Sequence, residues 1–333
     1  MEIAIVYGTR PEFLKVKCLI DLLRTVCITV KVIKINQHTN LTEDTGYYDS
    51  TIEIDTICND RISNIGSSIL TKLPDYLHNV THVLAQGDTA SVFYSLLCGF
   101  QMKKICIHLE AGMRTYDLDN PYPEEGFRQM ISRITDIHLC PSELEQLHLV
   151  SEKVKGRISI VGNTILDLVK SYKIPITYEK KILITLHRRE NWNDFKDYII
   201  RLSDLCNNNR DYTFYFLTHP NPSFHTILTE LQDRLSTNLQ IMNSLPHYKL
   251  IQLLSSCACV ITDSGGIQEE ANFLGKHMYV LRKVTERQSI PVDKITLCTL
   301  DNIHTIDCTI ANHKQGIEYG DGQSCDKIIN ILC

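Results

Sequence analysis

Short apolar segments alternate with helical segments along almost the whole chain, and this alternation limits the fold more than any other feature. In the first half the strand-like segments are Ile3–Tyr7, Ile28–Ile35, Thr81–Ala85, Ile105–Leu109, Asp136–Cys140 and Arg157–Val161. In the second half they are Lys181–Leu186, Tyr212–Leu217, Leu239–Met242, Cys259–Thr262 and His277–Leu281. Such strands favour parallel sheets covered by helices on both faces. The pattern predicts an α/β fold of two Rossmann-like domains that face each other across a cleft.

The division between the halves is expected near Tyr172–Tyr178, the least regular stretch of the chain. A length of 333 residues is enough for two domains of ordinary size. We predict one domain over residues 1–168 and a second over residues 169–315. In such sheets, ligands bind beyond the carboxyl ends of the strands, so functional residues are expected in the loops that follow the strands.

Composition excludes several classes of function. The formal net charge is −5 and no block of Lys and Arg occurs, which argues against a nucleic-acid partner. No apolar run approaches the roughly 18 residues of a membrane span, and the Met1–Tyr7 start is typical of a first strand rather than a signal peptide. The 13 cysteines include no C-x-x-C pair. We therefore expect reduced, mostly buried cysteines in a cytoplasmic protein that binds no metal.

The most specific binding motif is the turn Thr262–Glu270, which follows an apolar strand and opens a helix. Ser264, Gly265 and Gly266 would present a hydroxyl and backbone N–H groups to an anion. Glu270 would repel a phosphate, but its carboxylate can accept hydrogen bonds from the two hydroxyls of a ribose. The motif predicts a nucleotide site. The plainer alternative is a loop that needs glycine only for its backbone angles.

In the first half, polar residues stand where strands end. Arg10 follows the first strand and suits a diphosphate, and Lys15 lies further along the same helix. Asp88, Glu110 and Glu124 come from three loops that are expected to meet at one edge of the sheet. Several carboxylates at one place favour acid–base chemistry. Taken singly, each acid is typical of a helix cap or a surface position, and each cation of an exposed side chain.

In the second half, cationic and imidazole side chains follow the strands. His187 and His219 stand after two of them, and Arg287 follows a third. Either histidine alone is typical of a loop residue bonded to the backbone. With the Ser-Gly-Gly turn, however, they indicate a half suited to a diphosphate, opposite a half suited to proton transfer.

The combination of motifs resembles the non-hydrolysing UDP-N-acetylglucosamine 2-epimerase family, in the same order and from one end of the chain to the other. The residues that carry the resemblance are Gly8-Thr9-Arg10-Pro11-Glu12, Gln37-His38, Gly87-Asp88-Thr89, His108–Thr115, Gly162-Asn163-Thr164, Pro123-Glu124-Glu125, His187–Asn191, Asp263–Glu270 and Tyr319-Gly320-Asp321-Gly322. The stretch Thr39-Asn40-Leu41 departs from the pattern, in a region where bacterial members bind a second, activating UDP-GlcNAc.

The resemblance implies a glycosyltransferase-B-type fold whose last helix, within residues 316–333, crosses back to the first domain. It implies a homodimer and a reversible conversion of UDP-GlcNAc to UDP-ManNAc without a cofactor. It assigns Asp88, Glu110 and Glu124 to acid–base roles and Arg10, His187, Ser264, Gly265 and Gly266 to the diphosphate. Glu270 would hold the ribose. The supporting contacts would be Lys15, Arg114, His219 and Arg287.

Three other activities fit the same residues. One is a 2-epimerase of another UDP-2-acetamido sugar, such as a 6-deoxy-L-hexose. Another is a hydrolysing epimerase that releases UDP and ManNAc. The third is a glycosyltransferase of the same fold, which would lose UDP only when an acceptor is present. A non-catalytic UDP-sugar-binding module is disfavoured because all three carboxylates are present.

Overall fold

The computed structural model describes the whole chain except residues 27, 38–42, 189–190, 219–221, 286 and 310–312. The described residues form two compact units. Unit 1 comprises Met1–Leu168 and Tyr319–Cys333, and unit 2 comprises Val169–Glu318. Each unit is built on its own parallel sheet, which confirms the predicted α/β class with two Rossmann-like domains.

The sheet of unit 1 has seven strands in the order β3-β2-β1-β4-β5-β6-β7. Its strands are β1 (Glu2–Tyr7), β2 (Thr29–Asn36), β3 (Ser50–Glu53), β4 (His82–Gln86), β5 (Ile105–Leu109), β6 (Ile137–Cys140) and β7 (Arg157–Ile160). The helices are α1 (Arg10–Leu23), α2 (Arg61–Lys72), α3 (Pro74–Leu77), α4 (Ala90–Gln101), α5 (Glu124–Ile134), α6 (Glu143–Ser151), α7 (Ile165–Ser171, which runs into unit 2) and α12 (Ser324–Leu332). Because β1, β4 and β5 are neighbours, the loops at their carboxyl ends lie at one edge of the sheet.

Unit 2 has six strands in the order β10-β9-β8-β11-β12-β13. They are β8 (Glu179–Thr185), β9 (Thr213–Leu217), β10 (Leu239–Met242), β11 (Cys257–Thr262), β12 (His277–Leu281) and β13 (Ile295–Cys298). The helices are α8 (Phe195–Asn208), α9 (Pro222–Leu231), α10 (His247–Ser256) and α11 (Gly265–Phe273), with short 3₁₀ turns at Gln232–Arg234 and Ile303–Thr305. The central strand β11 is buried at every residue, as a parallel strand covered on both faces should be.

The C-terminal segment belongs to unit 1 and is held there by specific hydrogen bonds. The Asp167 carboxylate accepts the backbone N–H groups of Ser324 and Cys325, at 3.1 and 2.8 Å, and so caps the start of α12. The Asn163 N–H donates to the Tyr319 carbonyl at 2.6 Å. Gly162, with φ of +95°, lies so close that a Cβ there would come within 2.6 Å of the Ser324 hydroxyl. The short distance to Ser324 and the positive φ explain why the first residue of the Gly162-Asn163-Thr164 motif is a glycine.

Two edge strands, β3 and β13, were not predicted from the sequence. Each has four residues, and the exposed positions among them break the apolar pattern. The predicted central strands are confirmed with ends shifted by a few residues. None of the helices in the described part of the chain combines the length and apolar character that crossing a membrane requires.

Candidate active site

The first group of predicted residues lies at the carboxyl edge of the unit 1 sheet. Glu110 follows β5 with a backbone φ of +66°, a left-handed conformation that side-chain-bearing residues adopt rarely and that is enriched at functional sites. Its Oε2 atom lies 2.5 Å from Lys15 Nζ and also accepts a hydrogen bond from the Gln86 amide. The end of β4, the loop after β5 and helix α1 therefore meet at one largely buried carboxylate.

Asp88, in the loop after β4, pairs with an arginine that the sequence analysis did not assign. Arg128 donates from Nε to Asp88 Oδ2 at 2.7 Å, and its Nη1 lies 3.3 Å from the Glu125 carboxylate. Glu125 is fully buried and accepts the N–H groups of Thr115 and Tyr116. The spacing of Glu125 and Arg128, one helical turn apart in α5, was the available signal.

Glu124 begins α5 and is half-buried. Within the residues that the structure describes, its carboxylate forms no hydrogen bond or ion pair. Glu124 therefore differs from Asp88 and Glu110, whose carboxylates are bound by cationic side chains. Of the three acids, it is the one whose charge makes no described contribution to the fold.

Arg10, the predicted diphosphate ligand, begins α1 and forms a two-point ion pair with Glu43. Its Nε and Nη2 atoms lie 2.5 and 3.0 Å from the two carboxylate oxygens. The arginine side chain is 38% exposed, so its guanidinium remains within reach of solvent. A bidentate arginine of this kind can exchange a carboxylate for a phosphate of similar geometry.

Glu12 lies in the same first turn of α1 as Arg10, and the sequence analysis quoted it only as part of a motif. Its carboxylate accepts the Gly8 N–H at 2.7 Å and the Thr89 hydroxyl at 2.8 Å. The residue is buried, and this burial raises the pKa of Glu12 to about 7. Glu12 thus ties the turn after β1 to the loop that carries Asp88.

His108, on β5, is buried beside the same loop. Its Nε2 atom lies 2.7 Å from the Gly87 carbonyl, whereas Nδ1 is buried with no hydrogen-bond partner among the described residues. Burial lowers the pKa of His108 to about 4. The imidazole therefore stays neutral at ordinary pH and donates from Nε2 to hold the Gly87 turn.

Arg114, predicted as a supporting substrate contact, is fully buried in unit 1. Its guanidinium binds both oxygens of Glu152, at 2.7 and 3.0 Å, and also donates to the Met113 carbonyl and the Ser132 hydroxyl. Its hydrogen-bonding capacity is used within the fold. This arrangement favours a structural part for Arg114 over contact with a ligand.

In unit 2, the predicted anion site lies where β11 ends and α11 begins. Ser264 is the N-cap, but its side chain makes no capping hydrogen bond. Gly265 and Gly266 are helical, with none of the positive φ angles that would demand glycine. A Cβ at Gly266 would meet no described atom within 4 Å. The backbone angles therefore do not require glycine at either position, and the alternative that the glycines serve only those angles is wrong.

Asp263, next to that turn, anchors the loop that carries His187. The buried Asp263 carboxylate accepts the backbone N–H of His187 at 2.9 Å, that of Arg188 at 2.9 Å and the Asn191 amide at 3.0 Å. His187 is thereby placed beside Ser264, since β8 and β11 are adjacent strands. The sequence motif contains Asp263, but the analysis gave it no role.

Glu270 and Arg287 are also bound within unit 2. Glu270, on α11, lies 2.8 Å from His247 Nε2. Arg287 lies 2.5 Å from the buried Glu269, and its N–H donates to Thr285, which in turn donates to Gln268. The segment around Arg287 is thus attached to the helix that begins with the Ser-Gly-Gly turn. His219, His38 and Glu286 lie outside the described residues.

Among the described residues, no group of three or more His, Cys, Asp and Glu side chains has the arrangement of a metal site. The site groups are carboxylates in unit 1 and, in unit 2, the N-terminus of α11 with the neighbouring loop of His187. The first set suits proton transfer, and the second suits an anion.

Comparison with known proteins gives a consistent result over the full length of the chain. Residues 24–333 match the family described as UDP-N-acetylglucosamine 2-epimerase. A Campylobacter jejuni protein of that name is 32% identical over 375 aligned positions, which cover 99% of this chain and 97% of the relative. A crystal structure of UDP-GlcNAc 2-epimerase from Neisseria meningitidis bound to UDP-GlcNAc has a TM-score of 0.87 at 28% identity, and covers 100% of this chain and 99% of that one. An S. aureus MnaA-UDP co-structure has a TM-score of 0.86 at 25% identity, with 99% and 95% covered.

Proposed function

The chain belongs to the UDP-N-acetylglucosamine 2-epimerase family, and on that premise we propose that it interconverts UDP-GlcNAc and UDP-ManNAc. The observation that carries the proposal is the presence of Asp88, Glu110 and Glu124 in one unit and of the Ser264–Gly266 helix start in the other. One set supplies acids and bases, and the other supplies donors for a leaving diphosphate.

The chemistry follows from the bond that must change. The hydrogen on C2 of an N-acetyl sugar is not acidic, so a base cannot remove it directly. When the C1–O bond breaks, UDP leaves with the electron pair, C1 becomes cationic and the C2 proton passes to a protein base. The products are a 2-acetamidoglucal and UDP. Re-addition of UDP at C1, with a proton delivered to the opposite face of C2, gives the epimer.

Two faces of C2 need two acid–base groups, and we assign Asp88, Glu110 and Glu124 to this set. Positioned acid–base groups contribute roughly 10²–10⁴-fold to rate. Lys15 binds the Glu110 carboxylate and Arg128 binds that of Asp88, so cationic side chains hold two of these acids in place.

The departing UDP carries negative charge, and we assign its diphosphate to Arg10, His187, Ser264, Gly265 and Gly266. Backbone N–H groups at a helix start and a guanidinium stabilise such charge. Glu270 is assigned to the ribose, with His219 and Arg287 as supporting contacts. UDP has to stay bound after it leaves, because it is also the nucleophile of the return step.

We also propose that the enzyme is a homodimer, as the resemblance implies, and that it is cytoplasmic, as its cysteines suggest. All twelve cysteines that the structure describes are free thiols, and most are buried, as in a reducing compartment. Light scattering of the purified protein in dilute solution tests the dimer. A mass of one chain, 38.2 kDa, would contradict it.

Product analysis by NMR tests the activity itself. The protein is incubated with UDP-GlcNAc, and separately with a 6-deoxy UDP-2-acetamido sugar, in the absence of any acceptor. The proposal predicts conversion of UDP-GlcNAc to a stable mixture with UDP-ManNAc. Stoichiometric release of UDP and ManNAc would indicate a hydrolysing enzyme. Turnover of the 6-deoxy sugar alone would indicate a sister epimerase. If neither sugar nucleotide reacts, the protein is better explained as a transferase that needs an acceptor.

A further inference from the structure

Hydrogen bonds connect the Glu270 side chain to those of His247 and Tyr172. The latter two have so far been given no role. The carboxylate lies on the second turn of α11, and its residue is only 5% exposed. Its Oε1 atom lies 2.8 Å from Nε2 of His247, the first residue of α10. In the described part of the chain no donor is bonded to the other oxygen, Oε2.

Tyr172 binds the opposite side of the same imidazole. Its hydroxyl lies 2.9 Å from His247 Nδ1, and its ring meets that of Tyr248 edge-on at 5.2 Å. An ionised carboxylate has no hydrogen to give, so Nε2 must carry the proton of the His247–Glu270 bond. Tyr172 then fixes the ring orientation by bonding the other nitrogen, as outer partners of histidine commonly do.

We propose that His247, oriented by Tyr172, is a positioning residue that turns the second carboxylate oxygen of Glu270 toward the ribose hydroxyls of the nucleotide. The inference rests on the proposed function, in which Glu270 holds the ribose. A buried carboxylate with one oxygen fixed can present the other in a single direction. Without the His247 donor, Glu270 would be buried without its partner and would turn toward another donor or solvent.

The competing role for His247 is that of an ordinary buried contact between α10 and α11. Such a contact stabilises the fold but does not distinguish one nucleotide from another. One measured ratio therefore distinguishes the two roles. It is the affinity for UDP divided by the affinity for a deoxy analogue that lacks one ribose hydroxyl. Only a residue that sets Glu270 toward the ribose changes this ratio.

Calorimetric titration measures the ratio with UDP, 2′-deoxy-UDP and 3′-deoxy-UDP. A hydrogen bond to a charged group is expected to give the wild type a preference of roughly 10- to 100-fold for UDP over at least one analogue. His247→Leu should lower that preference to near one. His247→Gln, whose amide can still donate, should keep most of it, and Tyr172→Phe should give an intermediate value.

Two matched controls come from the same unit. His277 bonds the Thr296 hydroxyl at 3.0 Å and Tyr178 bonds the Gly275 carbonyl at 3.1 Å, so His277→Gln and Tyr178→Phe should leave the ratio unchanged. An unchanged ratio in His247→Leu, with UDP and its analogues weakened equally, would overturn the inference. If the leucine variant does not fold, an unchanged ratio in Tyr172→Phe is the contradicting result.

Turnover of UDP-GlcNAc by the wild type separates this inference from the proposed function. Epimerisation by a protein that shows no preference for the ribose hydroxyls would contradict the role of His247 and support the proposed function. A clear preference that depends on His247, without any turnover, would support the role of His247 and contradict the proposed function, because the nucleotide would be bound but not converted.

Discussion

The Asp263 carboxylate accepts the backbone N–H of His187 through both of its oxygens, at 2.9 and 3.0 Å. This contact joins the loop after β8 to the end of β11 and fixes the backbone of His187. Asp263 itself has no exposed surface. It therefore shapes the proposed diphosphate site without touching the diphosphate.

Asp263→Asn should weaken both the fold and UDP binding. The new amide group would point N–H donors at the N–H groups of His187 and Arg188, leaving buried donors unpaired at about 1–3 kcal/mol. We expect a lower urea midpoint and a UDP affinity reduced at least tenfold. Asp211→Asn is the control, because Asp211 forms an exposed ion pair with Lys180 in the same unit, and it should change stability by less than about 0.5 kcal/mol. Equal effects of the two substitutions would contradict the anchoring role.

Glu124→Gln should remove turnover without loss of stability. Because the Glu124 carboxylate forms no hydrogen bond or ion pair with the described residues, the substitution should leave the urea midpoint unchanged within experimental error. The rate at saturating UDP-GlcNAc should fall roughly 10²–10⁴-fold. Asp88→Asn is the matched comparison, since it also breaks the 2.6 Å ion pair with Arg128 and should lose stability as well as rate. A Glu124→Gln enzyme with near-normal rate would exclude Glu124 from the acid–base set.

His108→Gln should reduce the loss of stability in acid. The pKa of His108 is lowered to about 4 in the folded protein, and it is about 6.5 in an unfolded chain. The unfolded state therefore binds more protons between these values, and stability falls as pH drops from about 6.5 to 4. A glutamine does not titrate and can still donate to the Gly87 carbonyl. Urea denaturation across pH should show a wild-type excess slope of up to about 1.4 kcal/mol per pH unit in this window, and parallel curves would contradict the assignment.

Glu12→Gln should have the opposite dependence on pH. Burial raises the pKa of Glu12 to about 7, well above its value of about 4.3 in an unfolded chain. The folded state binds more protons between these values, so this contribution is greatest at low pH and is lost as pH rises through 7. The glutamine variant should lose less stability than the wild type between about pH 4.5 and 7. A difference between the two proteins that does not change with pH would show that Glu12 does not titrate there.

The sequence predicted what periodicity and strand ends can encode. The parallel strands appear as apolar runs because they are covered on both faces, and the carboxylates after β4 and β5 follow from strand order. Edge strands β3 and β13 were missed because half-exposed residues interrupt their pattern.

Partners of the site residues could not be predicted in the same way. Arg128 reaches Asp88 over 40 positions, and His247 reaches Glu270 over 23, so only the fold brings them together. For Arg114 the reason is different. It lies within a motif that suggests ligand binding, but its side chain is buried in an ion pair with Glu152 that serves the fold. A motif identifies the residue type, whereas packing decides whether its polar atoms serve the fold or a ligand.

The central claim is that UDP leaves and returns while C2 loses and regains a proton. Incubation of the protein with UDP-GlcNAc in D₂O, followed by NMR, tests it most directly. The account predicts deuterium at C2 of UDP-GlcNAc and of the UDP-ManNAc that accumulates, with UDP and free sugar as minor species. UDP-ManNAc that keeps the original C2 hydrogen would contradict it.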